Sequence, residues 1–425
     1  MCRRWRSVVF QSPLRLNLRL YCTRTTRARD TLDIWPPLPL IIRDYRIFAD
    51  ETTGVENIIA ALEHNDRVYQ IDLKWISSPE WEYVTYSAAM QKPFPELTDL
   101  RLSMYKGESG PILPDSFLGG TAPRLRSLHC RRIPFPGLPK LLLSATNLVD
   151  LTLDYIPRSG YISPEAMGTG LSALTSLETL HLEFLYPPPR PALRTRRPPP
   201  LTRSILPSLT QIRFKGTSEY LEEILARIDG PRLDGLHITF FNQLIFDTPQ
   251  LFQFISRTPT LRAPKEGHIT FHSTAIDVEI SSQTSDYGEL SVRIPCTESE
   301  WQLSSLEQVC ASSLSPISAL EDLNIVEGYP PPRWHDDVES TLWLDLLRPF
   351  VAVKNLYLSG EIVPRIAPAL QELVGGRTTE VLPTLENIFS RAFWPWGRID
   401  DEGVERFVAA RQLTSHPVAV SPWVR

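Results

Sequence analysis

One six-residue phrase recurs along the chain: an apolar residue, two spacers, a second apolar residue, one spacer and a third apolar residue. Its apolar positions are Leu97, Leu100 and Leu102, then Leu125, Leu128 and Cys130, then Leu148, Leu151 and Leu153, then Leu177, Leu180 and Leu182. Further on they are Leu209, Ile212 and Phe214, Leu233, Leu236 and Ile238, Leu320, Leu323 and Ile325, Val353, Leu356 and Leu358, and finally Leu385 and Ile388 with Phe389. Apolar residues on either side of a single spacer point to one face of a strand, and the spacer points to the other. Each phrase therefore predicts a short strand with one face in the core. Several begin with a Pro-x-Leu sequence, at Pro95, Pro123, Pro207, Pro231 and Pro383.

Between the phrases the apolar spacing becomes helical. Val55, Ile58, Ile59 and Leu62 form one face, opened by Thr53 and Glu56 in capping-box spacing. Leu221, Ile224, Leu225 and Ile228 form another before Gly230 and Pro231, and Ile366, Leu370, Leu373 and Val374 a third before Gly375 and Gly376. From Leu97 to Leu233 the phrases are spaced by 28, 23, 29, 32 and 24 residues, and from Leu320 by 33 and 32. The 87 residues between Leu233 and Leu320 leave room for two degenerate repeats, around Leu261 and Leu290. This period and phrase resemble the leucine-rich repeat, in which a lone unit cannot bury its leucines and stacking is obligatory.

The fold expected is therefore α/β: an irregular leucine-rich-repeat solenoid, a horseshoe with a parallel inner sheet and outer helices. Ordinary βαβ units of a doubly wound domain also alternate strands and helices, but they do not need one phrase nine times. Well-formed repeats place Asn or Cys three residues after the phrase, where this chain has Tyr105, Ile133, Ile156, Leu185 and Thr217. Without that ladder, successive turns are expected to differ. The expected division is a truncated helical remnant and linker over 1–45, the solenoid over 46–396 with a Pro-rich insertion at 186–200, and a capping helix and tail over 397–425.

Charge narrows the function. Lys and Arg number 44 against 49 Asp and Glu, a net charge of −5, so a nucleic-acid partner is not expected. Eight arginines and no acid fall in residues 1–29. That bias alone also fits a mitochondrial transit peptide. Five cysteines (Cys2, Cys22, Cys130, Cys296 and Cys310) lack any C-x-x-C pair and read as reduced thiols of a cytoplasmic or nuclear protein. No apolar run is long enough to span a membrane.

The order Cys2, Arg3, Arg4, Trp5, Arg6, Ser7, Val8, Val9, then Ser12, Pro13 and Leu14, resembles the last helix of an F-box and its exit. Phe407 to Leu413, followed by His416, Pro417, Val418, Ala419 and Val420, is similar to the closing segment of fungal F-box proteins with degenerate leucine-rich repeats. The resemblance implies a substrate-recognition subunit of a cullin-type ubiquitin ligase, not an enzyme. Cys2, Arg3, Arg4, Trp5 and Val8 would then be what remains of the contact with a Skp-type adaptor. A stand-alone scaffold for protein partners, with no ligase, is the alternative.

No catalytic, cofactor-binding or metal-binding residues are expected. His129, His181 and His237 occupy spacer positions on alternate repeats, roughly 9–10 Å apart, too far to share a zinc ion. His268 and His272 face the same side without an acid or cysteine to complete a site, and Gly107 to Gly110 lacks the last glycine of a nucleophile elbow. The expected site is a protein-binding surface on the concave face, through Asp99, Arg101, His129, Asp150, His181, Arg213, His237 and Tyr357.

Overall fold

The structure, a computed structural model, describes residues 19–34, 37–45, 54–76, 78–104, 110–188, 202–243, 245–262, 264–281, 288–312, 314–334, 339–374, 377, 379–391, 402–414 and 416–423. It is mixed α/β, with sixteen strands in mostly parallel sheet and eleven α-helices among the described residues. The chain divides into two units, Met1–Leu209 and Thr210–Arg425. No described helix is long and apolar enough to cross a membrane.

In the first unit β1 (Leu20–Cys22), β2 (Leu40–Tyr45), β3 (Val68–Ile76), β4 (Asp99–Met104), β5 (Ser127–Arg131), β6 (Asp150–Ile156) and β7 (Thr179–Phe184) stand in chain order. Every neighbouring pair is parallel. Strands β1 and β2 thus occupy a stretch expected to be remnant and linker. Their apolar residues Cys22, Leu40, Ile41 and Ile42 are buried, which holds that stretch in the sheet. The two-residue strands β8 (Ser204–Ile205) and β10 (Ile228–Asp229) stand outside the large sheet.

The second unit contains β9 (Gln211–Gly216), β11 (Gly235–Phe240), β12 (Glu266–His272), β13 (Ala275–Ser281), β14 (Glu289–Pro295), β15 (Asp322–Glu327), β16 (Asn355–Ser359), β17 (Asn387–Arg391) and β18 (Ala419–Pro422). Their order across the sheet is β9, β11, β14, β13, β12, β15, β16, β17, β18. Strand β13 runs antiparallel to β12 and β14. The two degenerate repeats expected here are therefore replaced by a meander. Leu290 does sit on a strand parallel to β11, opposite Leu236, but Leu261 ends a 3-10 turn ahead of β12. The physical reason is the turn at Ser273 and Thr274, too short for the crossover that a parallel neighbour requires.

The helical expectations hold with shifted ends. The helix Val55–Leu62 starts after Gly54 at φ 101, where a Cβ would stand 2.5 Å from the Arg24 carbonyl oxygen; Thr53 lies outside the described residues. The helix Ser218–Leu225 stops before Ile228, which belongs to β10. Val363–Glu372 ends ahead of Leu373 and Val374. Glu222 accepts hydrogen bonds from the N–H groups of Gln250 and Leu251 at 2.7 and 2.8 Å, capping the helix Pro249–Arg257 from the helix before it.

All apolar residues of the first eight phrases are buried, as are Leu385 and Ile388 of the ninth. The Pro-x-Leu sequences have a specific role. The N–H of Leu97 bonds the carbonyl of Phe94, Leu125 that of Ala122, Leu209 that of Leu206, Leu233 that of Gly230 and Leu385 that of Leu382, at 3.1 to 3.3 Å. Each proline is the second residue of such a turn, where its fixed φ fits and its missing N–H costs nothing. A backbone ladder replaces the missing side-chain ladder: the carbonyl of the second phrase residue accepts two N–H groups from the next phrase. Thr98 O takes Arg126 and Ser127, Arg126 O takes Val149 and Asp150, and Val149 O takes Glu178 and Thr179, at 2.8 to 3.1 Å.

Within the expected terminal cap, the helix Glu402–Gln412 is followed by β18, so the tail adds a strand. Arg411 is fully buried, and its Nη2 donates to the carbonyls of Leu382 and Leu385 at 3.0 and 3.2 Å. Gln412 Nε2 donates to Val418 O at 2.8 Å and ties the helix to the approach of β18. Arg411→Ala should strand those carbonyls and cost about 1.5–3 kcal/mol, read as a lower urea midpoint. Leu180→Asp, which places a carboxylate at a position 1 % exposed, should cost at least about 3 kcal/mol. An unchanged melting curve for that variant would show that the phrase is not a core pattern.

Candidate functional site

The spacer residues of the phrases face away from the core and stand in register. In the first unit Arg43, Asp72, Arg101, His129, Thr152 and His181 form one row across β2 to β7. Gln70, Asp99, Ser127, Asp150 and Thr179 form the row before it. Arg101 is exposed; Asp99, His129, Asp150 and His181 are half-buried. The two acids are already engaged: Asp99 accepts from the Thr98 hydroxyl at 2.6 Å and Asp150 from that of Thr152 at 3.0 Å.

His129 and His181 stand on alternate strands, and an acid on the strand between them lies close to both. Asp154 lies two residues beyond Thr152 on β6, next to a register shift at which Tyr155 has φ 53. His129 Nε2 is 3.2 Å from Asp154 Oδ2 and His181 Nδ1 is 3.5 Å from Oδ1. Glu183, two residues along β7 from His181, joins them: one ligand atom each from Asp154, His181 and Glu183 lie within 4.8 Å of one another. The cue was present in the sequence, since Asp154 and Glu183 both directly follow the last leucine of a phrase. The histidine spacing concerned only histidines sharing an ion with one another, and acids on the same face were not weighed as partners for one of them.

Burial alone would raise the Asp154 carboxyl. The hydrogen bond from His129, then the charges of His181, His129 and Arg131, outweigh that burial and hold it below its ordinary value. Burial pushes the nearby Cys130 thiol up to about 12, so it is no nucleophile at neutral pH.

In the second unit the corresponding row is Arg213, His237, Ser291, Glu279, His268, Asn324, Tyr357, Phe389 and Ser421. Arg213 is exposed and His237 half-buried beside it. His268 and His272 each have an acid, contrary to expectation. His268 Nε2 is 3.0 Å from Glu266 Oε1, and His272 Nε2 is 3.1 Å from Asp277 Oδ2, which also takes Arg293 Nη1 at 2.8 Å. Asp277 contrasts with Asp154: burial dominates over Arg293 and His272, and its carboxyl is raised.

Tyr357, expected as a contact residue, stacks on Phe389 with ring centroids 4.6 Å apart and planes at 11°. Trp423 packs against Tyr357 at 5.4 Å and 56°. Neither Phe389, read from sequence only as the end of the ninth phrase, nor Trp423 was expected as a contact residue, although Phe389 holds the spacer position after Ile388. Beside the rings, Asn355 Nδ2 donates to Asp322 Oδ1 at 2.7 Å and Asn387 Nδ2 to Asn355 Oδ1 at 2.8 Å. Cys2, Arg3, Arg4, Trp5 and Val8 lie outside the described residues, as does most of the Pro-rich insertion.

No protein-family model and no curated protein matches the sequence. The chemistry of the face can be tested directly. A carboxyl with a depressed pKa contributes stability above its ordinary value of about 3.9 and loses it as pH falls through the lower folded value. In chelator, Asp154→Asn should therefore cost about 1 kcal/mol in urea melts at pH 7, and the difference from wild type should be smaller at pH 2. A difference of equal size at both pH values would contradict the ionised pairing.

Proposed function

We propose that the chain is a non-catalytic recognition protein of the F-box lineage, an irregular leucine-rich-repeat solenoid that holds a protein substrate on the outward face of its sheet. The observation that carries the reading is the stack of Tyr357, Phe389 and Trp423 on that face, flanked by hydrogen-bonded Asp322, Asn355 and Asn387. Half-buried aromatic rings with a polar surround have the composition of an interface hot spot, where a few residues supply most of the affinity. Strand pairing holds the rings at fixed spacing, so little side-chain entropy remains to be lost on binding. Exposed Arg101 and Arg213 provide charge on the outward faces of the first and second units.

The ligase part of the reading rests on the resemblance at Cys2 to Val9 and at Phe407 to Val420. In it, the N-terminal residues meet a Skp-type adaptor and, through it, a cullin, while the repeats present the substrate. A scaffold without a ligase would use the same face and lack only that N-terminal contact.

Affinity purification of the tagged full-length chain separates the two. Tyr357→Ala with Phe389→Ala should weaken substrate retention at least tenfold, about 1.4 kcal/mol or more, and leave adaptor and cullin bound. Trp5→Ala should do the reverse. Substrate retention without adaptor or cullin in any variant would leave the scaffold; undiminished retention by the folded double aromatic variant would refute this recognition face.

A further inference from the structure

The geometry points to a divalent transition-metal site on the outward face of the first unit, with Asp154, His181 and Glu183 as ligands and His129 positioning Asp154. This goes beyond the recognition reading and does not depend on it. The three ligand atoms lie within 4.8 Å of one another, and none of the three residues is in the hydrophobic core. Zinc takes nitrogen and oxygen ligands at about 2.0–2.2 Å, so ligands around one tetrahedral ion stand roughly 3.3 Å apart. Side-chain rotation of about an ångström closes that gap, and no strand has to move.

The two oxygens of Asp154 are treated differently. Oδ2 has His129 Nε2 at 3.2 Å, whereas Oδ1 is buried without a hydrogen-bond partner. His181 Nδ1 stands 3.5 Å from Oδ1 and makes no hydrogen bond to it. A buried carboxylate oxygen left unbonded is costly, and a cation shared with His181 and Glu183 would satisfy it. His129 then does for the aspartate what outer partners do for metal ligands generally: it fixes orientation and leaves one lone-pair direction for the ion.

The donor set narrows the ion. One imidazole and two carboxylates carry two negative charges, which a divalent cation neutralises. Nitrogen with oxygen suits Zn²⁺, Co²⁺, Fe²⁺ or Mn²⁺ and disfavours Cu⁺, which seeks thiolate. Arg131 opposes the ion, since its charge also acts on Asp154; its guanidinium lies over the Tyr155 ring, 4.9 Å from the centroid. Three protein ligands leave a coordination position for water, or for a side chain of whatever docks on this face.

The test uses the full-length chain stripped by chelator and titrated with Zn²⁺ by calorimetry and with Co²⁺ by visible absorption. Wild type should take up one tight ion per chain, with Co²⁺ bands of low-symmetry coordination, and should melt at higher temperature with Zn²⁺ present. His181→Ala and Glu183→Gln, whose side chains are half-buried and outside the core, should each lose the Co²⁺ bands and the zinc-induced thermal shift while remaining folded without metal. His129→Ala should keep the bands and bind about 10–100-fold more weakly. If wild type takes up no ion, or the His181→Ala/Glu183→Gln double variant binds as wild type does, the cluster is a set of His–Asp ion pairs and the site is refuted.

Discussion

At six of the nine phrases, the carbonyl oxygen of the second residue receives two N–H groups from the phrase that follows it. The arrangement occurs at Thr98, Arg126 and Val149 in the first unit and at Thr210, Glu321 and Lys354 in the second. Only the backbone takes part, so the side chains at these positions can be Thr, Arg, Val, Glu or Lys without changing the register. With register fixed at every step, the leucines on either side of the spacer stack on leucines. Burial of each contributes about 1.5–3 kcal/mol, and a slip of one residue would turn them all to solvent.

The same constraint frees the outward face. Spacer residues stay out of the leucine core, yet strand pairing carries them to fixed positions beside one another, which is how Arg213 stands beside His237 and Tyr357 meets Phe389. Variation enters between the strands. Loops of different length separate the phrases, and in one place an antiparallel strand is inserted without interrupting the outward row from Ser291 through Glu279 to His268. A core that is repetitive and a surface that is not follow from one rule: hydrogen bonds and leucines fix the backbone, and everything else is at liberty to differ.

Two aspartates show how the face handles charge. Asp154 and Asp277 are similarly sheltered and each has histidine and arginine nearby, yet the first is held ionised more strongly than usual and the second less. Two histidines and Arg131 act on Asp154, whereas one histidine and Arg293 act on Asp277. His129, His268 and His272 are thus answered by acids within the sheet, whereas Arg101 and Arg213 stand exposed.

From sequence alone, the phrase, its spacing and its proline turns were enough to place β4 to β7, β9, β11 and β15 to β17, because two-residue alternation and buried leucine are local signals. Strand β3 carries the phrase at Val68, Ile71 and Leu73, which the sequence reading passed over, whereas β1 and β2 lack it and the meander of β12 to β14 interrupts its period, so pairing in three dimensions revealed those strands. Tyr357 was legible as an outward spacer; its stacking on Phe389 and Trp423 required β17 and β18 to be set beside it. His129 and His181 were legible as residues two strands apart, and Asp154 and Glu183 only as acids that follow the last leucine of a phrase. A sequence determines which face each residue of a strand takes, since that follows from the pleat. Which side chains meet across strands depends on register and on irregularities such as the shift at Tyr155, and those are decided only when the strands pair.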